Sequence, residues 1–534
     1  MGKYDEFLRE YLNKKQGLLG SELSELLIEE FNVSPENARK VIQRVTNNKA
    51  IWSSKPLSFG KGQYFYFHPD QYPDKFLIKD LAKERRPPLY RLLDLLDINE
   101  GVISFHEALK VTSSPEENST SKVSLLKDIV NDLAKLKVVV ERKGENGSNF
   151  ILYRHQEEGE LAELRYKELM TKHQDSLRVD TMFIPDLIRW LAESNIITTW
   201  GAYRSSNTPG LGSTHNNLSW DAFAYTKTTG INPGVAVHAD KIEKQTLVVM
   251  DIVISRTYCM SDLQGFISRI QINNNSVKDA QRKVLPLLIY ANIEPHVQNI
   301  AKKLGFMIFS MRKVYGANIG KLIEDIKTIY GNLNNDFSES IEAALNKIST
   351  SGQTEQLKAL RGALFEALMN PVLSTLYPKA QFLPGKILKH PQKDQKREFD
   401  YILASSHPKE LILVELKGYA GNSYIKLGDS NTKNTLRYFF RSSVPLASEY
   451  FKTDMILQNH KIKAVFISTG NYHSECNDFI NKINSSSYNP KKIGKCIING
   501  VELLDLLNEE GFEHEAHVIK KYYINEQEDN TDSD

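Results

Sequence analysis

The stretch of residues 396–418 constrains the fold most, because it places charged side chains at the ends of two apolar runs. Asp400 stands before the first run, and Glu415 follows the second after fourteen intervening residues. Side chains alternate faces along a strand, so Glu415 and Lys417 point the same way. A turn between the two runs brings Asp400 beside Glu415. The sequence therefore predicts two carboxylates and a lysine at one end of a β-hairpin.

This combination of side chains is typical of metal-assisted hydrolysis. Carboxylate oxygens bind hard divalent cations such as Mg²⁺. A bound ion polarises a phosphate and helps to generate hydroxide, while a lysine orients or deprotonates the attacking water. The alternative is a surface strand that carries a salt bridge. Glu415 follows four consecutive apolar residues, which indicates a buried strand, where charges are costly unless they are used or paired.

The spacing D-x14-ExK resembles the PD-(D/E)xK nuclease superfamily, the restriction-endonuclease-like fold, over residues 350–510. The resemblance implies a core of one helix, a meander of three strands, a second helix and a further strand. The chain offers these elements in that order. They are a helix at 354–369, a hairpin at 384–416, a helix near 431–451 and a strand at 463–468.

The resemblance also implies roles for individual residues. Asp400 and Glu415 would hold one Mg²⁺ ion, or Mn²⁺ as a substitute, with the backbone carbonyl of Leu416 as a further ligand. Lys417 would position the attacking water and help to remove its proton. The first helix of this superfamily often carries another acidic ligand, and Glu366 is the candidate. Glu366 lies opposite the apolar stripe of its helix, so it faces either a cleft or solvent.

Charge favours a phosphate-rich partner for this region. Residues 379–470 carry 15 basic and 8 acidic side chains, a net charge of +7, whereas the whole chain has only +2. Lys433, Arg437 and Arg441 follow the E-x-K strand. Arg437 and Arg441 are four residues apart, so they would share one helix face that could track a phosphate backbone. A solvated basic face is the common alternative.

Residues 1–75 have the pattern of a recognition module. Ser34 and the proline after it are typical of a helix start. Helix, turn, helix and hairpin is the order of the winged-helix fold, which this segment resembles. The resemblance implies DNA contacts from Arg39, Gln43, Arg44 and, at the wing tip, Lys61. Residues 1–70 hold ten basic and nine acidic side chains, so a protein-contact role stays open.

A second, weaker winged-helix-like copy spans residues 76–157. Its third helix carries Asp128 and Asp132, which do not favour phosphate binding, so we expect a structural or protein-contact role.

Residues 158–346 form an α/β domain in this interpretation. An edge strand at 220–225 contains Asp221, and a buried strand leads into Asp251 thirty positions later. This order repeats that of the C-terminal segment, but Val253 stands where the E-x-K lysine would be. The segment is either a degenerate nuclease-like copy or an unrelated domain in which Asp251 is a salt-bridge partner.

Length and composition fit a multidomain α/β protein. A chain of 534 residues is too long for one core. Its hydrophobic content of 41% and charged content of 25% are ordinary for globular proteins. The nuclease-like segment would span residues 347–525, and the acidic tail at 526–534 is expected to be disordered.

The cysteine pattern and the N-terminus favour a cytoplasmic protein. Cys259, Cys476 and Cys496 lack C-x-x-C spacing, which argues against a disulfide scaffold and against a zinc site. No apolar secretion segment opens the chain, and no run is long enough to cross a bilayer, so no membrane partner is expected.

The sequence thus predicts a Mg²⁺-dependent endonuclease that acts on DNA. One lysine-bearing centre per chain calls for a homodimer or two sequential nicks. The resemblance suggests bacterial defence against phage DNA, with partner proteins of a defence system. Three alternatives stay open, which are a repair or recombination nuclease, a DNA-binding regulator with inert nuclease folds, and an RNA-cleaving enzyme.

Overall fold

A computed structural model of the chain describes residues 2–60, 62–117, 124–144, 147–155, 159–206, 208–227, 246–275, 284–331, 338–420 and 422–524. The chain is mixed α/β, as predicted. It divides into two compact units. The first comprises Met1–Gln174, Ile197–Arg204 and Gly210–Ile308, and the second comprises Asp175–Ile196, Ser205–Pro209 and Phe309–Asp534. The finer division into five segments stays a prediction, and the tail at 526–534 lies outside the described residues.

The chain begins with three helices and a small sheet. The elements are α1 (Lys3–Lys14), β1 (Leu18–Leu19), α2 (Gly20–Phe31), α3 (Pro35–Asn47), β2 (Trp52–Ser53) and β3 (Phe65–Phe67). The strand order is β1-β3-β2. The predicted start of α3 is confirmed, since the Ser34 hydroxyl accepts a hydrogen bond of 3.3 Å from the backbone N–H of Asn37.

The same order of elements follows once more after a linking helix. The elements are α4 (Lys75–Arg85), α5 (Pro87–Ile98), β4 (Val102–Ser104), α6 (Phe105–Thr112), α7 (Leu126–Lys135), β5 (Val139–Lys143) and β6 (Asn149–Tyr153). The strand order β4-β6-β5 matches that of the first sheet. The helix α6, whose residues 106–112 are all buried, carries no pattern that predicted it.

The middle of the chain builds a five-stranded sheet. Its elements are α8 (Glu160–Met182), α9 (Ile184–Glu193), β7 (Thr199–Tyr203), β8 (Ser213–His215), β9 (Leu218–Trp220), β10 (Ala222–Thr226), β11 (Thr246–Tyr258), α10 (Met260–Asn275), β12 (Val284–Ile293), α11 (Pro295–Lys303) and β13 (Met307–Ser310). The strand order is β13-β12-β11-β10-β7. The prediction of an edge strand at 220–225 is wrong, because β10 pairs antiparallel with both β7 and β11.

The C-terminal part builds a second five-stranded sheet. Its elements are α12 (Met311–Tyr315), α13 (Ile319–Gly331), α14 (Ser338–Thr350), α15 (Lys358–Leu376), β14 (Gln381–Lys389), β15 (Lys396–Ser406), β16 (Lys409–Lys417), β17 (Tyr424–Ile425), α16 (Leu436–Tyr438), α17 (Val444–Lys452), β18 (Lys461–Ser468), β19 (Asn471–Tyr472), α18 (Asn477–Asn484), β20 (Ile497–Ile498), α19 (Gly500–Glu509) and α20 (Glu513–Ile519). The strand order is β14-β15-β16-β18-β20.

The apolar run before Glu415 forms β16, the central strand of this sheet. β16 pairs antiparallel with β15 and parallel with β18, and the side chains at 411–414 are fully buried. A central strand covered on both faces reads as a continuous apolar run. The predicted hairpin and the strand near 463–468 are therefore confirmed, whereas the helix predicted near 431–451 starts at Leu436 and contains a π-helical turn at Phe439–Ser443.

Two further findings concern the whole described chain. All three cysteines are free and buried. Within the described ranges, no helix is both long and apolar enough to span a bilayer.

Candidate functional site

The hairpin of β15 and β16 brings Asp400, Glu415 and Lys417 together in the second unit. Tyr401 pairs with Val414 in the ladder, so Asp400 and Glu415 come directly beyond that pair. The Oδ2 atom of Asp400 accepts a hydrogen bond of 2.6 Å from the backbone N–H that follows Glu415. This bond holds the Asp400 carboxylate against the end of the neighbouring strand.

Lys417 lies between the two acids. Its Nζ atom is 2.7 Å from Oε1 of Glu415 and 4.0 Å from Oδ2 of Asp400. The three side chains are largely buried, with exposed fractions of 13% for Lys417, 11% for Asp400 and 17% for Glu415. The predicted convergence of two carboxylates and one ammonium group is therefore present, and a little of each side chain remains accessible.

Glu366 approaches the same site from α15. A Cβ atom at Gly418, the residue after the E-x-K motif, would lie 2.5 Å from Cβ of Phe365. Only glycine permits this close approach of β16 to α15. Glu366 lines one cavity with Asp400, so it faces a cleft and not open solvent. No hydrogen bond or ion pair to its carboxylate occurs among the residues that the structure describes.

The cavity beside Glu366 and Asp400 has a volume of about 150 Å³. A cavity of roughly that volume can hold a group as large as a benzene ring. Its lining residues are Arg178, Met182, Ser206, Tyr330, Ala363, Glu366, Ala367, Asn370, Gly385, Asp400 and Tyr401. All belong to the second unit.

Most residues that line this cavity were not predicted from the sequence. Asn370 follows Glu366 by four residues on α15, so helical periodicity could have identified it. Arg178, whose guanidinium lies 5.8 Å from the centroid of the Tyr330 ring, comes from α8, far upstream in the chain. No local pattern links Arg178 to the hairpin.

Electrostatics at the site favour an added cation. Burial and the neighbouring Asp400 raise the pKa of Glu366 well above its usual value, against the effect of Lys417. Burial raises the pKa of Glu415 to about 7, where Asp400 adds to the shift and Lys417 opposes it. Burial would lower the pKa of Lys417, but Glu415 and Asp400 raise it well above its usual value. Three carboxylates thus face one ammonium group.

The donor set fits a hard divalent cation in part. No group of three or more His, Cys, Asp or Glu side chains with metal-binding spacing occurs in the described ranges, so Glu366 does not complete a ligand cage. Mg²⁺ commonly binds through one or two carboxylates and keeps several waters. Asp400 and Glu415, with the backbone carbonyl of Leu416, provide such a partial set.

The proposed DNA-contact residues at the N-terminus are exposed. Arg39, Gln43 and Arg44 project from α3 into solvent, and Arg39 lines a groove together with Tyr64. The Arg44 guanidinium lies 5.6 Å from the ring centroid of Tyr4. Lys61 lies outside the described residues.

The basic residues after the E-x-K strand are also exposed. Lys433 precedes α16, Arg437 lies in α16, and Arg441 lies in the π-helical turn at Phe439–Ser443 that continues it, so their shared contact with a phosphate backbone stays a prediction. Arg437 donates a hydrogen bond of 3.4 Å to the carbonyl of Gly428.

No family model, no curated protein and no solved structure matches this chain.

Proposed function

We propose that this protein is a divalent-cation-dependent nuclease of the PD-(D/E)xK type that hydrolyses DNA. The observation that carries the proposal is the convergence of Asp400, Glu415 and Lys417 at the ends of paired strands, beside a cavity that Glu366 also lines. The order of strands and helices around the site, with two antiparallel pairs followed by a parallel pair, agrees with that family's core.

The residues have distinct roles in this proposal. Asp400, Glu415 and the Leu416 carbonyl would hold the cation, Mg²⁺ or Mn²⁺, and Glu366 would contribute to the same site. The cation supplies Lewis acidity toward a phosphoryl oxygen and toward the attacking water. Lys417 donates hydrogen bonds that orient the water or a phosphate oxygen. The Nζ atom of Lys417, 2.7 Å from Oε1 of Glu415, is held beside the proposed cation position for this role.

DNA is the proposed polymer because two N-terminal modules share an element order that agrees with the winged helix. Each has a helix, a short strand, two helices and a hairpin, with the hairpin's second strand at the sheet centre. The exposed basic side chains on α3 would contact phosphates or base edges. Replacing Arg39 and Arg44 with Ala should weaken duplex binding and reduce the salt slope by about 2.

Incubation of the purified protein with supercoiled plasmid and Mg²⁺ or Mn²⁺ tests the proposal. We expect nicked or linear DNA from the wild type and none from Asp400→Ala or Lys417→Ala. Linear product at early times would indicate a dimer, and a nicked intermediate would indicate sequential cuts. Asp394→Ala is the matched control, because Asp394 is an exposed acid in the connection between β14 and β15. A wild type that is silent on plasmid, forked DNA and RNA would reject the proposal.

A further inference from the structure

The acids of the middle sheet occupy places equivalent to those of the candidate site. In both five-stranded sheets the strands lie side by side in chain order. Asp400 and Glu415 lie in the second and third strands of one sheet, and in the other Asp221 directly precedes the second strand and Asp251 lies in the third. Oδ2 of Asp221 accepts a hydrogen bond of 2.7 Å from the N–H of Ile252, as Oδ2 of Asp400 accepts one from Leu416. Asp251 precedes that amide as Glu415 precedes Leu416.

Lys110 of α6 reaches both of these acids. Its Nζ atom donates to Oδ2 of Asp221 and lies 3.4 Å from Oδ1 of Asp251. The Lys110 side chain is 7% exposed, and the two carboxylates are buried. A lysine therefore lies at the acid pair after all, although Val253 stands at the strand position where the motif would place one.

The helix that carries Lys110 is fitted closely to the domain that carries the acids. A Cβ atom at Gly265 of α10 would lie 2.7 Å from the carbonyl oxygen of Lys110 and 2.8 Å from Cα of Val111. The Ser113 hydroxyl donates a hydrogen bond of 3.0 Å to the Gly265 carbonyl. Glycine at position 265 thus allows α6 to lie directly on α10, which brings Lys110 within reach of the acids.

Two arginines also donate hydrogen bonds to these carboxylates. Arg204 donates to Oδ1 of Asp221 at 2.5 Å, and Arg269 donates to both oxygens of Asp251 at 2.8 Å. With Lys110, three cationic side chains contact the two carboxylates. A divalent ion placed at Asp221 and Asp251 would lie at short range from these positive charges, which is strongly unfavourable. At the candidate site of the other sheet, Lys417 lies between Asp400 and Glu415.

We infer that Asp221 and Asp251 form a second cation position of the nuclease type, and that the cation it takes is the ammonium group of Lys110 and not a divalent metal ion. The position is thus closed to metal. Its function is to join α6, and with it the second N-terminal module, to the middle sheet through a buried ion cluster. This inference does not depend on nuclease activity.

Manganese binding, followed by electron paramagnetic resonance of free Mn²⁺, tests the metal part of the inference. Asp221→Asn should leave the number of bound Mn²⁺ ions unchanged from the wild type, whereas Asp400→Asn should remove the bound ion. Loss of a bound ion in Asp221→Asn would overturn the inference. A wild type that binds no Mn²⁺ at all would contradict the proposed function instead, and would agree with a closed position at Asp221.

Thermal unfolding tests the ammonium part. Lys110→Met and Asp221→Asn should each lower Tm. The Tm of the double variant should fall by less than the sum of the two single shifts, because both single substitutions break the same Lys110–Asp221 interaction. Lys127→Met is the control, since Lys127 is exposed on α7 and should leave Tm unchanged. An unchanged Tm in Lys110→Met, or strictly additive shifts, would overturn the inference. If Lys110→Met does not fold, Lys110→Arg should fold because it keeps the positive charge. The number of Mn²⁺ ions bound by Asp221→Asn is then the deciding measurement.

Discussion

The ammonium group of Lys417 lies 2.7 Å from the carboxylate of Glu415. An ion pair this close stabilises both charges in a largely buried site. It also means that a divalent cation must share Glu415 with the lysine. Under the proposed function, this pair would therefore govern both how tightly the cation binds and how Lys417 is held for the reaction.

Lys417→Met separates these two effects. We expect cleavage to fall by about 100-fold or more, because a hydrogen-bond donor to the reacting groups is lost. Metal affinity should stay the same or rise, because Glu415 is released from its ion pair. Parallel measurements of plasmid cleavage and Mn²⁺ binding check this. Weaker metal binding together with the loss of cleavage would contradict the assigned role of Lys417.

Glu366→Gln should raise stability while it lowers activity. The Glu366 carboxylate is destabilised by burial and by Asp400, as its raised pKa indicates. A neutral amide of the same shape removes that repulsion, so the free energy of unfolding should rise by about 1 kcal/mol. Urea unfolding and cleavage assays measure the two effects. Glu509→Gln is the comparison, because Glu509 is an exposed acid on α19. A less stable Glu366→Gln protein would show that the carboxylate is needed for folding.

Arg178→Ala should impair substrate binding and leave metal binding intact. Arg178 lines the cavity that Asp400 and Glu366 share, so under the proposed function its guanidinium would contact a phosphate of the substrate. Losing one hydrogen bond to a charged group costs roughly tenfold or more in KM or kcat/KM. Arg178→Lys should recover part of the loss. Normal kinetics with a lower Tm would instead indicate a structural role beside Tyr330 and Asp175.

The pH dependence of stability should change in His106→Gln. Burial and Arg204 lower the pKa of His106 from 6.5 to about 4, against the effect of Asp221. In the unfolded chain the same imidazole gains a proton near its ordinary pKa, so the unfolded state is favoured as pH falls from there toward the folded pKa. His106 thus contributes stability that is complete above the ordinary pKa and is lost below it, by about 2 kcal/mol at pH 5.

The Gln variant tests this directly. The His106 Nε2 atom lies 3.0 Å from Oδ1 of Asp221, and because a carboxylate only accepts, Nε2 is the donor. A Gln amide can donate the same bond but does not titrate. Urea unfolding at several pH values between about 7 and 5 should therefore give a shallower slope for the variant than for the wild type. Equal slopes would show that His106 is not responsible.

Local signals in the sequence identified what lies close together along the chain. The hairpin that carries Asp400 and Glu415, the buried strand before Glu415 and the helix start at Ser34 all follow from short patterns of apolar, charged and capping residues. The periodicity of α15 left Glu366 facing either a cleft or solvent, and only the packed structure distinguishes the two.

Contacts between distant segments could not be predicted in this way. Lys110 meets Asp221 across 111 residues, and the helix that carries Lys110 is buried all round, so no local pattern shows that this lysine contacts an acid. The strand β7 pairs with β10 at the edge of the sheet, and its side chains are mostly exposed. The sequence of β7 therefore has little of the apolar alternation that would predict a strand. Arg178 could not be predicted as a cavity residue for the same reason, because α8 reaches the site through tertiary packing alone.

The buried cluster around Asp221 sets limits on how the protein can be dissected. A shortened polypeptide that began at residue 158 would retain both acids and both arginines but would lack α6. Water would enter where the lysine had been, and the apolar surface of α10 under Gly265 would be uncovered. Fragments meant to isolate the middle sheet should therefore keep residues 76–157, and an insoluble product from a shorter piece would reflect the missing helix and not an unstable sheet.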